Sequence, residues 1–113
     1  TAPAMNSQIE AEELYRRIRL HEPLQIVDLR PGFQWAQGHI PGASPFSLEE
    51  LESGRNGLDP AQPVVVYGDD GDLAAGILER AGFGQILCLA GGFDAWRSCR
   101  FPEEISQPRM LRC

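Results

Sequence analysis

The chain has 113 residues, 42% of them hydrophobic and 23% charged, the composition of one globular domain with a single core. A formal net charge of −6 argues against nucleic acid or an anionic membrane as partner, because both are held by clustered positive charge. All 10 cationic residues are Arg, so Schiff-base chemistry, a pyridoxal linkage and a phosphate-loop lysine are excluded.

No apolar run approaches membrane-spanning length, and no signal-peptide pattern opens the chain. Thr1 rather than Met comes first, as in a processed chain or a piece of a longer one. The 3 cysteines, Cys88, Cys99 and Cys113, lack C-x-x-C spacing, which argues against a disulfide framework or a zinc site and for a reducing cytoplasm. The absence of Lys fits a GC-rich coding sequence and hence a bacterial source.

Residues 1–7 read as a loose end. Over 10–21 the pattern is an amphipathic helix, with Ala11, Leu14 and Ile18 as its apolar stripe and acids in its first turn. Ser7 and Glu10 fit a capping box, and Pro23 ends the helix. The apolar run 24–29 reads as a strand, broken by Pro31 and Gly32. One helical turn is predicted over 33–37, a loop over 38–43, and a short acidic helix over 48–53 capped by Ser47. A second strand spans 63–67, with Pro63 at its first position, where a missing N–H is tolerated. A helix over 72–81 turns Leu73, Ala74, Ile77, Leu78 and Ala81 inward and stops at Gly82. The third strand spans 85–89, Gly91 and Gly92 lead into a helix over 93–99, and the tail from 103 is polar.

Apolar strands that alternate with helices, without two-residue alternation inside them, predict an α/β fold. The sheet is expected to be mostly parallel and covered by helices on both faces. Ligands of such sheets bind beyond the carboxyl ends of the strands, where 28–30, 68–72 and 90–92 converge. The second of these decides most of the functional reading. A buried strand runs into a Gly/Asp loop that opens directly into a helix, a geometry that aims backbone amides and a helix dipole at one small space. Such a space ordinarily cradles an anion, yet Gly68, Asp69, Asp70, Gly71 and Asp72 offer no Cys, Ser, Thr, Lys, Arg or His.

With those segments in order, the chain resembles the rhodanese-like (rhodanese-homology) domain family. IVDLRPGFQWAQGHIPGA (26–43) resembles the family's Asp-x-Arg strand end and Gly-His-Ile-x-Gly-Ala signature. VVVYGDDGDLAAGILERAGF (64–83) resembles the active-site strand, loop and helix. ILCLAGGFDAW (86–96) resembles the closing strand, and Phe101 with Pro102 matches the usual ending. The likeness covers 9–103 and implies one domain over 1–113, with flexible ends at 1–7 and 104–113. It also implies that sulfur-transferring members place a Cys at the first loop position and a basic residue at the sixth. Those positions hold Gly68 and Leu73 here, and Gln34 stands where an acid is usual. An anion within ~6 Å of the three Asp would meet about 2–3 kcal/mol of repulsion from each at an effective dielectric near 20. The same absences count against a phosphatase.

Asp69, Asp70 and Asp72 admit three readings: a solvated loop with one Asp capping the helix, a cradle plugged by its own carboxylate, or a partial oxygen shell for a hard cation. His39 reads as a structural residue whose ring nitrogens bind backbone. Asp28 and Arg30 read as a pair that fixes neighbouring loops, or as a grip on a ligand. Alternation puts Cys88 on the face of Ile86, in the core, and Trp35 and Trp96 read as packing anchors. The expectation is a catalytically degenerate rhodanese-like domain with no catalytic residue, cofactor or metal. Asp28, Arg30 and the loop Gly68, Asp69, Asp70, Gly71, Asp72 would form a ligand pocket. An unidentified protein partner or neighbouring domain is expected, with no nucleic acid, no membrane and a monomeric chain. The rival is an active sulfurtransferase whose nucleophile has moved to Cys99 or Cys113.

Overall fold

Val64, Val65, Val66 and Tyr67 are all buried, as a central strand of a sheet covered on both sides must be. The computed structural model describes residues 6–54 and 56–105 and places this strand in the middle of five. The strands are β1 (Asn6–Ile9), β2 (Gln25–Asp28), β3 (Ala43–Pro45), β4 (Val64–Tyr67) and β5 (Ile86–Leu89). Their order is β1-β5-β4-β2-β3, and every pairing is parallel. Between them run α1 (Ala11–Arg19), α2 (Gly32–Gln37), α3 (Leu48–Ser53) and α4 (Gly71–Arg80), and α5 (Gly92–Ser98) follows β5.

Alternate residues of β2, β4 and β5 feed two separate cores. Ile26, Val65, Tyr67, Leu87 and Leu89 meet Leu14 of α1 and Phe93 and Trp96 of α5 on one face. Val27, Val64, Val66 and Ile86 meet Leu51 of α3 and Ala74, Ile77 and Leu78 of α4 on the other. Both faces are apolar, so the two-residue pattern is invisible in the sequence. Each fully buried aliphatic side chain contributes about 1.5–3 kcal/mol, which makes these cores the main stabilising term.

Five expectations change. Leu73 and Ala81, expected to face inward, are both exposed, because the buried face of α4 is Ala74, Ala75, Ile77 and Leu78. Ser7 belongs to β1 rather than to a loose end, because the open side of β5 takes a partner there with Ser7 opposite Leu87. The expected capping box is therefore not formed, and Glu10 begins α1 without a side-chain cap. Ala43, placed in a loop, starts β3, an edge strand whose Pro45 is tolerated because no neighbour needs its N–H. Glu104, expected in a flexible tail, exchanges two backbone hydrogen bonds with His39 at 2.9 and 2.8 Å. Residues 1–5 and 106–113, with Cys113, lie outside the described residues, as does residue 55.

Candidate functional site

The carboxyl end of β4 runs into Gly68, Asp69 and Asp70, and α4 opens at Gly71. Asp70 precedes the helix in the left-handed region at φ 59°, where Asp is one of the few side chains tolerated, and its carboxylate caps nothing. Asp69, Asp70 and Asp72 are all exposed, and none accepts a hydrogen bond from the first amides of α4 among the described residues. Neither a capped helix nor a carboxylate plug is formed. No three carboxylate, imidazole or thiol groups converge as a metal site would need among the described residues.

The loop divides two open clefts. One, of about 450 Å³, is lined by Gly68, Asp70, Gly71, Asp72, Leu73 and Cys88, together with neighbouring backbone and apolar groups. The other, of about 460 Å³, is lined by Leu29, Arg30, Phe46, Glu50, Asp69 and Asp70 among others. Asp28 lines neither cleft.

Gly68 is where the loop is tightest. Its φ of +111° favours glycine, and a Cβ there would lie 2.9 Å from the Arg30 amide nitrogen and 3.1 Å from the Leu29 backbone. That backbone has no slack. The Leu29 amide donates to the Tyr67 carbonyl at 2.8 Å, and the Arg30 amide donates to Asp28 Oδ1 at 2.8 Å. Only a residue without a side chain fits this approach.

Behind the loop, Asp28 is fully buried and every lone pair it offers is engaged. Arg30 donates to both of its oxygens, closest at 2.7 Å, and the Tyr67 hydroxyl donates to Oδ2 at 2.7 Å. The same hydroxyl accepts from the Ile40 amide at 3.2 Å, and Arg30 also donates to the Gly38 carbonyl at 2.7 Å. Burial pulls the Arg30 guanidinium towards its neutral form, but the Asp28 carboxylate outweighs this and raises its pKa. Burial first, then the bond to Asp28, pushes the Tyr67 phenol far above its usual range. The set is a clamp that ties β2, β4 and the 38–40 turn together. Register explains Tyr67, which sequence reasoning missed, since it stands directly opposite Asp28 in the β2–β4 ladder.

His39 is 2% exposed, stacked on Trp35 with ring centroids 4.3 Å apart, and its Nδ1 lies 2.7 Å from the Trp35 carbonyl oxygen. Trp96 is fully buried, and its indole N–H donates to the Pro102 carbonyl at 2.8 Å. Cys88 packs beside Ile86 in the α3–α4 core, and it also reaches the wall of the first cleft. Burial, and then the charge of Asp72, raise its thiol pKa. Cys99 is held against Glu12 at 3.8 Å, away from both clefts, and its thiol is likewise pushed up by desolvation and then by Glu12.

A family model described as "Rhodanese-like domain" matches residues 10–99. The chain belongs to the rhodanese-like domain family. Among curated relatives of this rhodanese-like domain is a thiosulfate sulfurtransferase GlpE from Pseudomonas putida. It is 32% identical over 93 residues, covering 80% of this chain and 84% of the relative. The GlpE of Shewanella oneidensis is 38% identical over 76 residues, covering 65% and 75%. A crystal structure of the Alr3790 protein from Anabaena superposes with a TM-score of 0.79 at 30% identity, covering 86% of this chain and 82% of that one. The parallel sheet with helices on both faces is thus the shared architecture of the rhodanese-like family.

Proposed function

We propose that this rhodanese-like domain is catalytically degenerate and acts as a binding or regulatory module for a protein partner or a neighbouring domain. The observation that carries the reading is Gly68. The resemblance assigns its position to a nucleophilic Cys, and its backbone leaves no room for a Cβ. A persulfide route needs a thiolate that attacks the outer sulfur of thiosulfate, expels sulfite, and then yields that sulfur to cyanide as thiocyanate. The loop supplies no such group.

Charge contributes less than the missing nucleophile. The three loop carboxylates are exposed, so each would repel a monoanion at ~6 Å by about 0.7 kcal/mol at the dielectric of water. That would weaken binding without abolishing it. A thiol is indispensable to the chemistry, and the described alternatives are poor. Cys99 is remote from the clefts, and the raised pKa of Cys88 leaves little thiolate at neutral pH.

The names of the GlpE relatives, together with Cys88 on the cleft wall, favour the rival reading of an active thiosulfate sulfurtransferase. Incubation with thiosulfate and cyanide separates the two. The expected result is no thiocyanate above the buffer rate and no added sulfur in the intact mass. Turnover that disappears in Cys88→Ser, Cys99→Ser or Cys113→Ser would overturn the proposal and name the thiol.

A further inference from the structure

Helices α3 and α4 pack side by side on one face of the sheet and leave a groove between them of about 260 Å³. Leu48, Gly76 and Ile77 line it, and Leu73 stands at its edge, 59% exposed in the first turn of α4. The volume falls below the ~300–1,000 Å³ of small-molecule sites and suits one inserted apolar side chain. Gly76 keeps the groove open; the nearest group to a Cβ placed there would be the Arg80 guanidinium, at 3.6 Å.

The surround is acidic towards the loop, with one cation further along α4. Glu52 and Asp72 border the groove directly, Asp70 shares the adjoining cleft with Asp72 and Leu73, and Glu49 lies exposed on α3. Arg80 is the one cation lining it among the described residues, and it sits a turn and more along α4 from the loop. A second copy of this chain would bring the same acids against these, at a net charge of −6 each. Like charges facing one another oppose such pairing. The complementary occupant carries positive charge.

We propose that the α3–α4 groove docks a short basic segment of a partner protein. One apolar side chain would enter beside Leu73, with Arg or Lys side chains facing Asp70, Asp72 and Glu52, away from Arg80. The inference rests on the reading of the domain as a binding module and names the chemistry of its partner. Buried Leu gives the affinity and exposed charge the orientation and approach rate.

The probe is a short synthetic peptide with one central Leu flanked by Arg and Ser, titrated into isotope-labelled protein and followed by amide chemical shifts. Saturable shifts at Leu48, Asp72, Leu73 and Ile77 are expected. Leu73→Ser in the protein, or Ser in place of the peptide Leu, should each weaken binding at least about tenfold. Leu73 is exposed, so the variant folds. Absence of saturable shifts, shifts centred elsewhere, or equal binding by the Leu-free peptide would overturn the proposal. So would shifts at these residues that grow with protein concentration alone, which would make the occupant a second copy. A negative result leaves the loss of sulfur chemistry standing. Thiocyanate turnover beside groove binding would remove that loss and leave the docking.

Discussion

At Gly68 the absence of a side chain is structural as well as chemical. A residue held at φ +111°, where a Cβ would lie only 2.9 Å from the Arg30 nitrogen, cannot accept a side chain without moving the loop or β2. Gly68→Ala is expected to lose about 2 kcal/mol or more, the cost of left-handed backbone plus the clash, measured by urea unfolding. Gly68→Cys should lose as much and gain no persulfide with thiosulfate; unchanged stability with a gained sulfur adduct would contradict the geometry. Beside it, Arg30→Ala would leave the Asp28 carboxylate buried with its main partner gone, a loss of about 3–5 kcal/mol from a domain total of roughly 5–15. Tyr67→Phe should cost about 1–3 kcal/mol, since it strips one bond from Asp28 and orphans the Ile40 amide. Asp28 and Arg30 were legible as a pair from their spacing at a strand end. The Tyr67 hydroxyl and the crowding at Gly68 were not, because both depend on which strands become neighbours.

Local chemistry predicts elements well where it acts alone. Ser47 caps α3 as its sequence suggests, accepting from the Glu50 amide at 3.1 Å while the Glu50 carboxylate accepts from the Ser47 amide at 2.8 Å. It fails at β1 and β3, short edge strands whose residues have little strand propensity of their own and which form because β5 and β2 need partners. Helix α1 carries a testable charge device. Hydrogen bonds from Arg16, then Arg17, hold the Glu13 carboxyl down to about 2, below its ordinary 4.5. A lowered folded-state pKa contributes stability above the unfolded value that fades as pH falls through the folded one. Glu13→Gln should therefore trail the native chain slightly above pH 4.5, with the gap closing towards pH 2, as read by denaturation midpoints. The gap is small because the pair faces solvent; a gap that widens in acid would contradict the assignment.

Across the whole molecule, the converging strand ends were readable because parallel strands put their loops at one edge, whatever the side chains. The clefts on either side of the loop and the α3–α4 groove were not, since they arise from the order β1-β5-β4-β2-β3 and from which helices share a face. That same order has a kinetic consequence. Asn6 lies opposite Ile86, so the first strand is zipped to the last across most of the polypeptide. During synthesis β1 must wait unpaired until β5 has been made, and high contact order of this kind slows folding and exposes the waiting segment to stray pairing.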